Sequence, residues 1–280
     1  LKILAACGVP VRVWPRAPTL WKKMKIYQNY IDQLRENSEI KKTESRFAAN
    51  QLLEMHSEAL KRDRPIIVEL GVDKGQSTRV FLNAIDNKTN ARLISIDIKD
   101  CKDAVKSTNW EFVQQDSIDI ESLLLKKPII KDGIDILYVD SLHTQSHVLK
   151  EVYGFFEYVK PKGIIYFDDI DSGPYMNGQR KDSVSTEIVN RKIFNLLEAI
   201  FRANYSSIDF SINRGSTGLA KFVKNSDLGD KLNPPIFIKK RQFKFFWKLL
   251  GVLKLKKTYH HNNSSNESFL INPDNDNSDE

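Results

Sequence analysis

Apolar, strand-like runs with an acid at or near their carboxyl end recur along the middle of this chain and restrict its fold more than any other feature. From residue 65 these runs alternate with helix-like segments, a pattern typical of a mostly parallel sheet covered by helices on both faces. Two further strands are predicted to form a final hairpin. The predicted class is α/β with seven strands, at residues 66–70, 93–97, 112–116, 136–140, 164–168, 206–212 and 219–223.

Two neighbouring strands end in carboxylates that a parallel sheet would bring to one crevice. Asp140 closes one strand, and Asp168 and Asp169 close the next. Ligands of α/β proteins bind outside the carboxyl ends of the strands. Oxygen donors placed there suit a hard divalent cation such as Mg²⁺, and His143 nearby suits a general base. The alternatives are a helix cap for Asp140, a solvated turn for the acid pair and a structural role for the histidine.

Two other polar groups near these acids have competing interpretations. His143 and His147 have the spacing of a transition-metal pair, but the sequence indicates no third nitrogen or sulfur ligand. The polar loop after the acid pair contains Arg180, Lys181 and Asp182, which are predicted either to contact an acidic substrate or to be solvated.

The turn after the first of these strands has the composition of a cofactor site. Gly71 lets the chain turn sharply and lets a ligand approach the backbone, and Ser77 is a good helix-start residue. With Gly75 the pattern is E-x-G-x-x-x-G rather than the dinucleotide motif G-x-G-x-x-G. Glu69 and Asp73 would repel a pyrophosphate, whereas S-adenosylmethionine (SAM) carries an ammonium and a sulfonium and no phosphate.

Two strand-end acids extend the predicted SAM site. Asp97 ends the strand after the glycine turn, where an acid reaches a pair of ribose hydroxyls in dinucleotide folds. Asp116 ends the following strand and is predicted to meet the base or its amino group. Glu69, Gly71, Gly75, Ser77, Asp97, Asp116 and Asp140 are therefore the predicted cofactor-binding residues.

Residues 65–223 resemble a class I SAM-dependent methyltransferase, a Rossmann-like fold distinguished from dinucleotide-binding folds by its antiparallel final hairpin. More narrowly, residues 140–143 followed by Asp168 and Asp169 resemble the metal-dependent small-molecule and sugar O-methyltransferases of macrolide and aminocoumarin tailoring, and the related cephalosporin-hydroxylase-like group. The resemblance implies that Asp140, Asp168 and Asp169 hold Mg²⁺ or Mn²⁺ and that His143 is the base. Ser141 departs from that group, which usually has glycine there, without removing a ligand.

The predicted function is methyl transfer from SAM to a hydroxyl of a sugar or other small polar metabolite, assisted by a divalent metal. One alternative is a SAM-binding or membrane-associated regulatory protein without catalysis, which would not need the intact acid set and His143. Another is a nucleotide-dependent oxidoreductase, which the missing G-x-G-x-x-G disfavours. A homo-oligomer is left open.

The net charge of +7 is concentrated in one segment. Residues 239–257 carry eight basic and no acidic residues, and the rest of the chain is close to neutral, so no nucleic-acid partner is expected. Aromatic residues within this segment favour either peripheral contact with an anionic membrane or a docked terminal helix. Two cysteines without metal-ligand spacing favour a reducing compartment, hence the cytoplasm.

The chain is predicted to divide into four parts. They are an N-terminal helical segment (1–62), the SAM-dependent domain (63–223), a basic amphipathic extension (224–261) and a disordered tail (262–280). Helical periodicity from Trp21 to Leu34 and over residues 45–60 predicts two helices, which either pack on the edge of the domain or form a lid. The mildly apolar start lacks an initiator Met and a clear cleavage signal, so no signal peptide is predicted.

Overall fold

The computed structural model of this chain describes residues 3–4, 10–11, 25–40, 44–176, 180, 183–238, 249 and 252–253. Two short strands, β1 (Ile3–Leu4) and β2 (Pro10–Val11), pair antiparallel. The main sheet contains seven strands: β3 (Ile66–Leu70), β4 (Arg92–Asp97), β5 (Trp110–Gln114), β6 (Ile134–Val139), β7 (Val159–Phe167), β8 (Ile208–Asn213) and β9 (Leu219–Lys224).

The sheet has the order β5-β4-β3-β6-β7-β9-β8, which confirms the predicted seven-stranded α/β fold. Strands β3 to β7 pair in parallel, and β9 pairs antiparallel with both β7 and β8. Chain order runs outward from β3 in one direction and then resumes on its other side at β6. Strand connections therefore diverge between β3 and β6, and the crevice at their carboxyl ends is where such sheets bind ligands.

Helices cover both faces of this sheet. They are α1 (Gln28–Glu39), α2 (Glu44–Lys61), α3 (Gln76–Ile85), α4 (Ile120–Lys126), a 3₁₀ turn (Pro128–Asp132), α5 (Gln145–Phe156), α6 (Gly173–Met176) and α7 (Val184–Ala203). The predicted helix over 45–60 is confirmed within α2. The helix predicted from Trp21 begins at Gln28 in the structure, and Trp21 and Met24 lie outside the described residues.

Adjacent strand residues supply the two halves of the core because their side chains alternate between the faces. On one face, Ile67 packs in a cluster with residues of α1, α2 and α3, including Met55 and Phe81. On the other face, Val68 packs in a cluster with residues of α5 and α7. Helices α1 and α2 therefore share a core with the sheet, and the division of the chain at residue 62 stays a prediction.

One strand is longer than predicted. The strand expected at residues 164–168 begins at Val159 in the structure, so that residues 161–163 lie inside β7. Lys162 has a left-handed φ of 62°, and the pairing of β6 with β7 shifts register between Ile134 and Ile136. The proline and glycine thus mark an irregularity within a long strand, a setting in which both residues occur.

Most of the C-terminal extension cannot be compared with its prediction. Of residues 239–257, only 249, 252 and 253 are described, and the tail from 262 lies outside the described residues. Membrane contact by this segment therefore stays a prediction. Among the helices that the structure describes, none is long and apolar enough to span a bilayer.

Candidate active site at the carboxyl ends of β3, β6 and β7

The glycine turn after β3 is held tightly against the end of β6. Gly71 has φ of 95°, and a Cβ at this position would lie 1.9 Å from the carbonyl oxygen of Asp140. Its N–H donates to the carbonyl of Ile96, and the N–H of Asp140 donates to the carbonyl of Leu70. Only glycine fits this crossing, so the turn brings the backbone to the mouth of the crevice without a side chain in the way.

Glu69 lies beneath the turn and is fully buried. Its carboxylate accepts hydrogen bonds from the hydroxyls of Ser77, Thr78 and Ser95, at 2.6, 2.9 and 2.5 Å. Burial raises the pKa of Glu69 to about 7, against the opposing effect of these three donors. Glu69 and Ser77 therefore brace the turn from below.

Glu69→Gln is expected to change how stability depends on pH. The folded-state pKa lies above the ordinary value of 4.5, so this proton stabilises the fold fully below about pH 4.5 and less as the pH rises through 7. The free energy of unfolding of the wild type, relative to that of the variant, should fall over this range by up to about 1.4 kcal/mol per pH unit.

Urea unfolding at several pH values measures the difference, with Glu121→Gln on the exposed side of α4 as the matched control. Curves for the wild type and Glu69→Gln that stay parallel across the range would contradict the assignment.

The larger cavity of the site, about 570 Å³, opens along the ends of β3, β4 and β6. Asp97 accepts backbone N–H bonds from Val72 (2.9 Å), Asp73 (3.3 Å) and Lys99 (2.9 Å). Against the effect of burial, these donors hold the pKa of Asp97 below its ordinary value. The lining residues are Gly71, Val72, Asp73, Ile96, Asp97, Ile98, Lys99, Gln115, Asp116, Ser117, Asp140, Ser141, Leu142, His143 and His147.

Of the seven predicted cofactor residues, Gly71, Asp97, Asp116 and Asp140 line the larger cavity, whereas Glu69, Gly75 and Ser77 do not. Gly75 precedes α3 with a left-handed φ of 70° and shapes the end of the turn. The volume lies within the range of roughly 300–1,000 Å³ that is usual for small-molecule sites. A cavity of this size, with an ionised acid beside a glycine backbone, suits a nucleoside that carries a cationic group.

The three predicted metal ligands meet around two side chains. The Tyr138 hydroxyl contacts Oδ2 of Asp140 at 3.1 Å and Oδ2 of Asp168 at 2.8 Å. Nε2 of His143 lies 3.2 Å from Oδ1 of Asp140 and 3.6 Å from Oδ2 of Asp169. The carboxyl group after β6 and the two after β7 are therefore bridged by one hydroxyl and one imidazole, so the three acids lie close together. Their proximity agrees with their positions at the ends of neighbouring parallel strands.

Backbone geometry explains how two consecutive acids reach the same place. Neighbouring side chains of a strand normally point to opposite faces. Asp169, however, the second residue after β7 ends, has φ of 56°, in the left-handed region. This conformation breaks the alternation, so that Asp168 and Asp169 both approach the cluster. The N–H of Asp169 and the hydroxyl of Thr217 donate to Oδ1 of Asp168, at 2.8 and 3.0 Å.

Charge is unbalanced in this cluster. Burial raises the pKa of Asp140 and of Asp169, and the charge of Asp168 adds to the effect on both. Although its own burial acts in the opposite direction, hydrogen bonding to Asp140 and the neighbouring acids raises the pKa of His143 to about 9. Three carboxyl groups thus share one imidazolium at neutral pH, which is the arrangement that an additional cation would stabilise.

The chemistry of the donors fits a hard divalent ion, since all three acids offer oxygens. In this conformation, however, the oxygens of Asp140 and Asp168 are occupied by Tyr138, His143 and Thr217. Within the described ranges, no three His, Cys, Asp or Glu side chains are arranged to ligate one ion. The metal assignment therefore rests on the type and proximity of the donors.

A smaller cavity of about 210 Å³ adjoins the acid cluster on the side of α2. Helix α2 forms one wall of this cavity and also packs against α1 and α3, and the lid interpretation stays a prediction. The guanidinium of Arg180 donates hydrogen bonds to Glu44 of α2 (3.2 Å) and to Ser216 in the turn between β8 and β9 (3.1 Å), and so links the helix to the hairpin. Lining residues are Ala48, Gln51, Leu52, Met55, Gln76, Ser77, Tyr138, Asp140, Asp168, Arg180, Ser216, Thr217 and Leu219.

Sequence reasoning missed three residues of the site. Tyr138 precedes Asp140 by two residues in an extended segment, so strand alternation could have placed it on the same side. Thr217 lies in the turn of the final hairpin, which was predicted without any role in the site. Gln51, whose side-chain amide donates to the carbonyls of Asn213 and Gly215, links α2 to this hairpin and had no signal in the sequence.

Comparison with known proteins gives one domain match and several similar folds. Residues 68–170 match a family model described as a methyltransferase domain. No match to a curated protein was found. A candidate caffeoyl-CoA O-methyltransferase from Staphylococcus aureus has 15% sequence identity and a TM-score of 0.50, over 71% of this chain and 95% of that one. The resemblance to class I SAM-dependent methyltransferases predicted from sequence is thereby confirmed.

Two other solved structures are similar over comparable lengths. The O-methyltransferase TomG from Streptomyces achromogenes, in complex with SAM, is 15% identical with a TM-score of 0.48, covering 73% of this chain and 93% of TomG. The MycE methyltransferase of mycinamycin biosynthesis, in complex with Mg, SAH and mycinamycin VI, is 18% identical with a TM-score of 0.47, covering 74% and 56%. At these identities the likeness concerns the fold.

Proposed function

We propose that this chain, a class I SAM-dependent methyltransferase by its domain match and sheet order, transfers the methyl group of SAM to a hydroxyl of a small polar molecule. The observation that carries the proposal is the position of Asp140, which lines both the larger and the smaller cavity. Methyl transfer requires the nucleophilic oxygen to lie in line with the sulfonium, and two adjoining cavities provide places for the two reactants.

The larger cavity would hold SAM. Asp97 is ionised and faces the cavity, where it suits the ribose hydroxyls, and Asp116 lies toward the base. Gly71 gives the ligand access to the backbone of the turn. In this placement the sulfonium would lie toward Asp140 and His143, which line the same cavity.

The smaller cavity would hold the acceptor. Its lining includes the polar side chains of Gln51, Arg180 and Thr217 together with the carboxyl groups of Asp140 and Asp168. A polar lining of this kind suits a molecule rich in hydroxyls, so a sugar or a similar metabolite is the proposed substrate class. The volume of about 210 Å³ is below the usual range for drug-sized ligands, which limits the enclosed part of the acceptor to a small group.

Asp140, Asp168 and Asp169 would hold a Mg²⁺ or Mn²⁺ ion. When bound, such an ion orients acceptor oxygens and stabilises the alkoxide that develops on one of them. Added positive charge among these acids would also lower the pKa of His143 from about 9, because the acids are what raise it. His143 could then be neutral at physiological pH and take the acceptor proton.

His143→Ala is expected to lower kcat by about 10²–10⁴, the usual contribution of a general base, while the affinity for S-adenosylhomocysteine (SAH) changes little. Steady-state kinetics and calorimetry measure the two effects. His143→Gln separates the roles, because an amide keeps a hydrogen-bond donor near Asp140 but cannot accept a proton at neutral pH. A His143→Gln variant with wild-type kcat would show that the histidine only orders the acids.

The proposed activity is tested by incubating the full chain with methyl-labelled SAM and a panel of glycosides and small polyols. Label transferred to an acceptor hydroxyl, dependent on added Mg²⁺ or Mn²⁺, is the expected result. SAH binding without any transfer to such acceptors would contradict the proposed acceptor class, and transfer that is unaffected by a chelator would contradict the metal role.

A further inference from the structure

A buried group of polar side chains lies beside the larger cavity, in contact with Ser117 and Ser141 of its lining. Its centre is Glu151 of α5, which is fully buried. Oε1 of Glu151 accepts hydrogen bonds from the hydroxyls of Ser117 and Ser141, both at 2.5 Å. The other oxygen, Oε2, has no hydrogen-bond partner among the described residues.

His147 connects this buried acid to the cavity. It lies one helical turn before Glu151, with its Nε2 atom 3.3 Å from Oε1 of Glu151 and 2.9 Å from Oγ of Ser117. The same nitrogen lies 3.9 Å from Oδ1 of Asp116. Hydrogen bonding to Glu151 raises the pKa of His147, which favours the charged form that attracts Asp116.

Burying a carboxyl group costs free energy unless its oxygens are hydrogen-bonded, and Oε2 of Glu151 has no such partner among the described residues. The domain does not need Glu151 for its apolar core, since Val148, Val152 and Phe155 of the same helix provide that contact. The acid instead contacts three groups that line the cavity, Ser117, Ser141 and His147, and fixes them in one arrangement.

We infer that His147, held by Glu151, is a positioning residue for nucleobase recognition and sets the preference of this site for a 6-aminopurine. The N–H of Ile118 donates to Oδ1 of Asp116 at 3.1 Å, and the charge of His147 adds an electrostatic attraction to the same oxygen. The two together would keep the carboxylate at the cavity, where it accepts a hydrogen bond from the exocyclic amino group. This inference rests on the proposed function, because it takes SAM as the occupant of the larger cavity.

Discrimination between two ligands tests the inference by isothermal titration of the full chain. One ligand is SAH, and the other is its analogue with an oxo group in place of the 6-amino group. The wild type is expected to bind SAH more tightly. His147→Ala should weaken SAH binding by about three- to tenfold, the equivalent of one hydrogen bond, and weaken analogue binding by less than about twofold.

Matched variants separate positioning from general damage. Lys150→Ala truncates an exposed residue of the same helix and should leave both affinities unchanged. His147→Gln retains a donor toward Ser117 and should keep part of the discrimination that His147→Ala loses.

Asp116→Asn should lose the same preference for SAH, and its effect should not add to that of His147→Ala, because both changes act on one contact. Asp116 is partly exposed, so this variant also tests the inference if His147→Ala folds poorly.

Several results would overturn the inference. Equal weakening of SAH and of the oxo analogue in His147→Ala would show a merely structural role, as would additive effects of the Asp116 and His147 substitutions. Unchanged binding of both ligands would show that His147 does not act on the site. If SAH does not bind to the wild type, the proposed function is overturned together with this inference. The results above would overturn the inference alone.

Discussion

Asp168→Asn is expected to lower kcat by about 10²–10³, the usual effect of removing one charged group that stabilises a transition state, while SAH affinity stays within about twofold of the wild type. The reason is the position of Asp168. It lines the smaller cavity but not the larger one, and its carboxylate accepts hydrogen bonds from Tyr138 and Thr217. Asparagine keeps the shape but removes the charge that a divalent ion requires. Steady-state kinetics with Mg²⁺, combined with calorimetry of SAH binding, measures both quantities.

Asp132→Asn is a suitable control, since Asp132 is an exposed acid at the opposite end of β6. It should leave kcat and SAH affinity unchanged. Activity of the wild type should disappear in a chelator and return on addition of Mg²⁺ or Mn²⁺. An Asp168→Asn enzyme with normal turnover would show that this carboxylate is not a ligand, whatever the chelator does.

Gly71→Ala is expected to abolish SAH binding and to destabilise the fold by roughly 3 kcal/mol or more. Two effects combine at this position. The left-handed φ of 95° is strained for any residue with a Cβ, and that Cβ would lie 1.9 Å from the carbonyl oxygen of Asp140. The clash is with backbone, so it cannot be relieved by a rotamer change. Urea unfolding gives the free energy, and calorimetry gives the loss of ligand.

Gly229→Ala is the matched control, because Gly229 has nearly the same φ, 93°, with nothing within 4 Å of an added Cβ. It should cost only the conformational penalty of about 1–2 kcal/mol and leave SAH binding intact. Similar losses of stability in the two variants would show that the close approach to Asp140 is unimportant.

The pattern of strands and strand-end acids predicted much of the fold and the centre of the site. Parallel strands place their carboxyl ends on one edge, so Asp97, Asp140 and Asp168 could be assigned to a common crevice from sequence alone. The acidic glycine turn favoured SAM over a dinucleotide, although only Asp73 of its two acids lines the cavity in the structure. Each of these inferences depends on local sequence and on the regular geometry of a sheet.

Sequence could not show contacts that depend on packing across long separations. Glu69 belongs to the glycine turn, yet three hydroxyls draw its carboxylate beneath the turn rather than toward the cavity. The contact of Thr217 with Asp168 spans 49 positions, and that of Gln51 with Gly215 spans 164. Such pairings follow from how helices and hairpins dock, for which a single sequence carries little signal.

The phenol of Tyr138 has one proton for two acids, and burial together with those acids keeps its pKa well above the ordinary value, so the proton is retained. Its ring packs edge-on against Phe81, with centroids 6.1 Å apart, and has little room to swing away. An ion entering the cluster must therefore compete with this hydroxyl for the same lone pairs. If the proposed metal role holds, this competition reduces the affinity for the ion, and we expect turnover to fall during dialysis and to return in buffers replenished with the salt.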